Sequence, residues 1–240
     1  MERIAKFIAR CGVTSRRKAE ELIKNGYVFL NGTIIRELSV RVDPSHDSIV
    51  VNNKHITVPP LKYFLLHKPK GVITTKQDTH SRKTVLDFFP HKYRDIHPVG
   101  RLDKDTTGAL LLTNDGALTN VLIHPRHGVT KTYEVVINGC ITPQHQKKLR
   151  KGIALEDGIT QPADVFIQGR KKHATVLTIK IKEGKKRQIK RMCMALGYRV
   201  IGLKRTAFGS LRIGNMKEGS YRPLTTLEIK KLREHVDETQ

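Results

Sequence analysis

The run His97-Pro-Val-Gly-Arg-Leu-Asp-Lys-Asp-Thr-Thr-Gly-Ala-Leu-Leu-Leu-Thr-Asn-Asp-Gly116 constrains this chain more than any other stretch. Its first half is polar, rich in Gly and Thr, and carries two carboxylates, Asp103 and Asp105. Its second half holds Ala109 to Leu112, four continuous apolar residues between turn signals, which read as a buried core strand. Asp115-Gly116 closes the run as a turn. A fold built on this run must bury the strand and leave an acid-bearing loop at its mouth, where a rigid frame can hold a reactive group.

The 240 residues suffice for one large domain or a small module plus a larger one. Hydrophobic content of 38% with well-spread Leu, Ile and Val supports a core and argues against disorder. Lys and Arg number 45 against 22 Asp and Glu, a formal net charge of +23. Solubility alone asks for a net charge of only about 2–8. The surplus repels itself in the folded state and points to a polyanion, RNA or DNA, bound in a salt-sensitive way. Cys11, Cys140 and Cys193 are scattered and odd in number, which favours a reducing compartment and argues against a disulfide framework or a zinc knuckle. No metal-ligand spacing occurs among the eleven histidines, so no metal is expected. Met1-Glu-Arg-Ile-Ala-Lys is not the start of a signal peptide, and no run approaches the roughly 18 apolar residues of a membrane span. A cytoplasmic protein is expected, with a monomer as the default.

Two segments follow from hydrophobic period and turn chemistry. In the first, Ile4, Phe7, Ile8 and Cys11 form one helical stripe, stopped at Gly12. Thr14 or Ser15 caps a second helix with Ala19, Leu22 and Ile23 inward. Asn31-Gly32 and Asn52-Asn53 sit at the tips of two hairpins. Arg10, Arg16, Arg17 and Lys18 crowd the junction of the helices and suit an RNA phosphate backbone, or form an ordinary exposed helix start. Pro59-Pro60 marks a boundary, giving domains 1–60 and 61–240. In the second segment, strands are expected at 62–67, 72–75, 109–112, 131–137, 165–167, 174–181 and 198–203. Helices are expected at 117–123, starting at Thr142-Pro143, at 187–196 and at 227–236, and 84–89 reads as a short helix or a tight apolar turn. The expected class is α+β: a small α/β N-terminal RNA-binding module, then a mainly antiparallel sheet with helices on its faces.

Gly-Arg-Leu-Asp-x-Asp-Thr-x-Gly followed by an apolar run and Thr-Asn-Asp-Gly resembles the catalytic motif of pseudouridine synthases of the RsuA/RluB type. Lys131-Thr-Tyr133 and Glu183-Gly-Lys-Lys-Arg-Gln-Ile-Lys-Arg-Met192 resemble the second and third motifs, and Lys68-Pro-Lys-Gly-Val72 resembles the start of the synthase domain. The pattern from Gly12 to Gly32 resembles the S-four-like (alpha-L) RNA-binding module that commonly precedes this domain. The resemblance implies an enzyme that isomerises a uridine of ribosomal RNA to pseudouridine, with the look of the motif closer to large-subunit than to small-subunit members. Transfer RNA is the other candidate substrate. The reaction breaks the bond from ribose to the uracil nitrogen, turns the base and rejoins it through ring carbon five, so no cofactor is required.

Such a site needs a nucleophilic carboxylate, a dry pocket and a base swung out of its stack. The resemblance makes Asp103 the nucleophile, acting on the ribose carbon or on ring carbon six; on spacing alone it is equally a loop-turn Asp bonding its own backbone. Asp105 reads as loop-shaping. Tyr133 is implied to stack on the base, and Lys190 to pair with the aspartate, where a cation favours the charged carboxylate. Arg101 is an alternative partner for the aspartate. Arg101, Lys131, Lys185, Lys186, Arg187 and Arg191 are expected RNA contacts. A non-catalytic ribosome-binding protein and a nucleoside-cleaving hydrolase are the competing readings.

Overall fold

The computed structural model describes residues 1–76, 78 and 80–237. It divides into two compact units. One comprises Met1–Lys62, Pro90–His97 and Asn114–Gly116; the other comprises Tyr63–Phe89, Pro98–Thr113 and the chain from Ala117 onward.

The first unit contains β1 (Glu2–Arg3), α1 (Ile4–Arg10), α2 (Arg16–Lys24), β2 (Val28–Leu30), β3 (Thr33–Ile34), β4 (Arg41–Val42), β5 (Ile49–Val51) and β6 (Lys54–His55). The Ser15 hydroxyl accepts the Lys18 N–H and starts α2. The four-stranded sheet runs β3-β2-β5-β6. Both hairpin tips hold positive φ at two successive residues, Asn31 and Gly32 in one and Asn52 and Asn53 in the other. That is the backbone a two-residue hairpin needs, and it explains why Asn and Gly stand there. Ile4, Phe7, Ile8, Ala19, Ile23, Val28, Ile49 and Val51 form the core. The β1–β4 pair was not legible in the sequence, because two residues carry no periodicity. Asp95 accepts from the Lys62 ammonium at 2.7 Å and the Asn114 amide at 3.0 Å, which fastens the segment after Pro60.

The second unit is built on one large sheet. Its elements are β7 (Tyr63–Lys68), β8 (His97–Pro98), β9 (Thr107–Thr113), α3 (Gly116–Ile123), β10 (Lys131–Asn138), α4 (Pro143–Lys151), β11 (Ala154–Leu155), β12 (Gly158–Ile159), β13 (Asp164–Lys171), β14 (Ala174–Ile181), α5 (Gln188–Met194), β15 (Val200–Phe208), β16 (Leu211–Arg212), β17 (Tyr221–Pro223) and α6 (Thr226–Asp237). The strand order is β13-β14-β10-β15-β9-β7-β17, with β16 beside β15. Along that order every pair is antiparallel except β15–β9, whose parallel register sets Lys204 beside Thr107 and Arg205 beside Gly108. The apolar run of the opening motif lies in β9, and Ala109 to Leu112 are fully buried. One core joins Leu65, Leu111, Leu118, Leu122, Phe208 and Leu232 beneath α3 and α6; a second joins Val135, Leu149, Val165, Leu177, Ile189 and Met192 beneath α4 and α5.

The structure differs from expectation in three places. Residues 72–75 do not extend the sheet; Ile73 makes only an isolated bridge to Thr84. The strand expected at 198–203 runs from Val200 to Phe208, because Lys204 and Arg205 continue it although neither marks an apolar period. The helix expected at 187–196 begins at Gln188, since Arg187 is left-handed with φ +51°.

Glu228 anchors the start of α6. It accepts from both Arg222 guanidinium nitrogens at 2.8 and 2.6 Å and from the Thr225 N–H, and the Thr225 hydroxyl accepts the Glu228 N–H in return. The Arg222 guanidinium, then the Thr225 N–H, hold its carboxyl down at about 2. A depressed carboxyl contributes stability above its ordinary value of 4.5 and loses it as pH falls toward 2. Glu228→Gln is therefore expected to lower stability by about 1 kcal/mol at pH 7 in urea denaturation, with the gap from wild type narrowing as pH falls from 4.5 toward 2.

Candidate active site

The loop from Leu102 to Thr106 is held by the segment that follows β7. Lys68 has no exposed surface. Its ammonium donates to the carbonyls of Thr106 at 2.8 Å, Pro69 at 3.1 Å and Asp103 at 3.1 Å. The Gly71 N–H donates to the Lys104 carbonyl at 2.8 Å. The Thr74 hydroxyl donates to the Leu102 carbonyl at 2.8 Å and accepts the Leu102 N–H at 3.2 Å. So Lys68, Gly71 and Thr74 take up the loop's backbone groups and fix its course. Burial pushes the Lys68 ammonium down to about 8, with the charges of Asp105 and Asp103 opposing that shift. At the loop's far end Gly108 has φ +112°, and a Cβ there would lie 2.1 Å from the Arg205 carbonyl oxygen. Only glycine lets β9 and β15 approach this closely.

With its backbone held, the loop turns both carboxylates toward α5. The Lys190 ammonium lies 2.6 Å from Asp105 Oδ1 and 3.8 Å from Asp103 Oδ2, and Arg187 Nη1 lies 4.0 Å from Asp103 Oδ2. Lys190 thus bridges both acids, nearer to Asp105, and its contact holds the Asp105 carboxyl below the ordinary range. Asp105 is more than the loop-shaping residue expected from sequence: it is the nearer counter-charge of Lys190. The Lys190 side chain is only 12% exposed, whereas Asp103 is 36% exposed and open to a ligand. A cavity of about 410 Å³ lies over them, lined by Lys70, Gly71, Asp103, Lys104, Asp105 and Arg187. That volume falls in the range of small-molecule sites, roughly 300–1,000 Å³.

Lys190 and Arg187 are aimed by packing on the other side of α5. Ile189, Met192 and Cys193 are buried in the second core. The β11–β12 hairpin braces the helix: Arg191 grips Asp157 through two nitrogens at 2.8 and 2.9 Å, and the Lys185 ammonium donates to the carbonyls of Asp157, Gly158 and Ile159 at 3.0, 3.0 and 3.3 Å. Lys185 and Arg191, both expected as RNA contacts, are thus each tied to this hairpin at the domain's surface. Lys131 is likewise engaged, donating to the Lys182 carbonyl at 3.0 Å, and burial pushes its ammonium down to about 8. Arg10 donates to Glu2. Arg16, Arg17, Lys18, Arg101 and Lys186 are exposed. Arg101 forms no ion pair with Asp103 among the described residues.

Tyr133 is half-buried on β10, opposite Arg205 of β15, which pairs in turn with Gly108 of β9. A single strand thus separates Tyr133 from the strand that carries the aspartate loop, about 10 Å across two strand spacings. Tyr133 is not among the residues lining the cavity. Sequence reasoning missed Lys68 as a loop-holding residue and missed Arg205 altogether. Arg205 is 3% exposed, donates from Nε to the Ala109 carbonyl at 2.7 Å and lies over the Phe208 ring. A charged residue flanked by Lys204 and Thr206 carries no burial signal of its own; the only hint was Leu203 and Ala207, two residues to either side on the same strand face. Among the described residues no group of three or more His, Cys, Asp or Glu side chains could hold a metal ion. No described helix is long and apolar enough to cross a membrane.

A sheet-borne acid loop with two cations beside it at the edge of a cavity is the arrangement of a site that can hold a reactive carboxylate, and comparison with known proteins gives its family. Residues 62–195 match the RNA pseudouridylate synthase family, and residues 2–49 match the S4 domain. The chain belongs to the RNA pseudouridylate synthase family. It is 45% identical to the ribosomal large subunit pseudouridine synthase B of Bacillus subtilis (strain 168), over 99% of this chain and 98% of that protein. It is 34% identical to the ribosomal small subunit pseudouridine synthase A of Haemophilus influenzae, over 96% of this chain and 99% of that one. A crystal structure of a pseudouridylate synthase superposes with a TM-score of 0.71 and 34% identity, covering 97% of this chain and 100% of that chain.

Lys68→Met keeps the bulk but removes the buried ammonium on which the carbonyls of Pro69, Asp103 and Thr106 converge, and is expected to lower stability by about 3 kcal/mol in urea denaturation. Turnover should fall with it, while RNA affinity changes little. The ammonium is depressed in the folded state, so the unfolded chain binds more protons between pH 8 and 10.5. Wild type should therefore gain stability over Lys68→Met as pH rises through that window.

Proposed function

We propose that this enzyme isomerises a uridine of large-subunit ribosomal RNA to pseudouridine, with Asp103 as the nucleophile. The observation that carries the proposal is the setting of Asp103: its carboxylate is open to the cavity, while Lys190 and Arg187 stand 3.8 and 4.0 Å away. Neither contact is short enough to tie up the carboxylate's lone pairs. The nearer contact of Lys190 goes to Asp105 instead, so Asp103 keeps a cation's field and a free oxygen at once. The large-subunit assignment follows the 45% identity to the Bacillus subtilis enzyme over nearly the whole chain.

The reaction needs little beyond these groups. Asp103 attacks the ribose carbon or ring carbon six as the bond to the uracil nitrogen breaks. The freed base turns in the cavity and bonds to the ribose through carbon five, and the bond to Asp103 breaks to restore the carboxylate. The proton on carbon five leaves and the nitrogen regains one, so atoms and oxidation state balance without a cofactor. On the motif resemblance we assign stacking on the base to Tyr133 of β10, which stands outside the cavity lining, and the wall of β9 and the Lys68-held loop keep the acid in place. Residues 1–60 dock the RNA through Arg16, Arg17 and Lys18, and residues 61–240 perform the chemistry. A cytoplasmic monomer acting during ribosome assembly fits this work.

Incubation with transcribed ribosomal RNA fragments, digestion to nucleosides and chromatography tests the proposal. Asp103→Asn is expected to cut pseudouridine formation by at least about three orders of magnitude, with RNA affinity nearly unchanged. Full function in that variant would instead mark a non-catalytic ribosome-binding protein, and free uracil among the wild-type products would mark a hydrolase.

A further inference from the structure

Arg187 is an exception in the backbone. Among the described residues, the other non-glycine residues with positive φ are Asn31, Asn52 and Asn53 in hairpin turns and Ser81 in a loop, all small and polar. Arg187 has φ +51° and ψ +31°, a conformation that long side chains rarely adopt. A glycine at 187 would meet the same turn into α5 without strain. The backbone there is fixed by its neighbours: the Gln188 N–H donates to the Lys185 carbonyl and the Arg191 N–H to the Arg187 carbonyl. Lys185 is pinned to the β11–β12 hairpin, and Ile189 is buried in the second core. Strain held in place by rigid surroundings is a mark of a side chain with work to do.

The side chain itself serves no visible structural end. It is half exposed and makes no hydrogen bond among the described residues; Asp103, at 4.0 Å, is beyond hydrogen-bond range. Its guanidinium stands at the wall of the cavity, beside Lys70 and Lys104. With Lys190 they make four cations around two carboxylates, so the cavity carries a positive surplus. A nucleotide entering from RNA brings a phosphate on each side, and a planar fork of donors matches a phosphate bidentately.

We propose that Arg187 is the clamp for the phosphodiester beside the reacting nucleotide, and that its left-handed backbone aims the guanidinium over Asp103. This rests on the isomerase reading for what enters the cavity, but the phosphate contact can be measured without turnover. The full-length wild type, Arg187→Gly and Arg187→Lys are compared in thermal melting, in binding to a transcribed large-subunit ribosomal RNA fragment across a series of salt concentrations, and in kcat/KM on that fragment. Arg187→Gly is expected to melt no lower than wild type. It should reduce the slope of log affinity against log salt by about one and lower kcat/KM by about 10- to 100-fold, more than it lowers affinity. Arg187→Lys should keep the slope yet lose part of kcat/KM, because an ammonium lacks the fork. A glycine variant with wild-type slope and turnover overturns the proposal, and so does one that melts well below wild type, since the arginine would then be holding the fold. If no protein turns the RNA over but the glycine variant still loses one unit of slope, the phosphate clamp stands and the isomerase reading fails.

Discussion

A single buried ammonium sets the geometry on which the site depends. Lys68 ends a central strand, has no contact with solvent and gathers the carbonyls of Pro69, Asp103 and Thr106. Charging a group in that position is costly, and its depressed pKa records the cost. The carbonyls offset it, and in return the loop's backbone has one course. Because the backbone of Asp103 is fixed from behind, its carboxylate can remain open in front. The same logic holds on the facing side, where α5 is seated by Ile189 and Met192 and braced by the β11–β12 hairpin before it presents Lys190.

The high positive charge of the chain divides into two kinds of cation. Lys68 and Arg205 are buried on carbonyls, and Lys131, Lys185 and Arg191 are tied to carbonyls or a carboxylate nearer the surface, so all five act as fasteners. Arg16, Arg17, Lys18, Lys186 and Arg187 are exposed. The net charge of +23 is thus a sound pointer to a polyanion, but no guide to which residue meets it. Lys185 and Arg191 lie within the same short segment as Arg187 and Lys190, yet the first two bind the hairpin at 154–159 while the other two lie within 4.0 Å of Asp103.

Much of the fold was legible because local chemistry dictated it. Asn-Gly and Asn-Asn mark hairpin tips that need positive φ, Thr142-Pro143 starts α4 with its hydroxyl accepting the His145 N–H, and the run at 109–112 is buried as its apolar continuity implied. Elements of two or three residues were not legible: the partners of β1, β4 and β17 lie far off in sequence, and β16, although it pairs with the adjacent end of β15, is too short to show a period. Nor was the continuation of β15 through Lys204 and Arg205, where pairing with β9 and β10 overrides polarity. In the site, the meeting of Asp103 with Lys190 followed from motif resemblance, and the structure brings them within 3.8 Å. The ion pair of Lys190 with Asp105, the burial of Lys68 and the left-handed turn at Arg187 depend on tertiary packing and have no signature along the chain.

Joining the ribose to ring carbon five expels the hydrogen that stood there. Ribosomal RNA transcribed with uridine tritiated at carbon five therefore reads the chemistry at the reacting atom. The predicted result is one tritium released to water for each uridine converted, with the base still attached to its ribose. Retention of all tritium in intact uridine, or its appearance in free uracil, would contradict the assignment of Asp103 to an isomerisation.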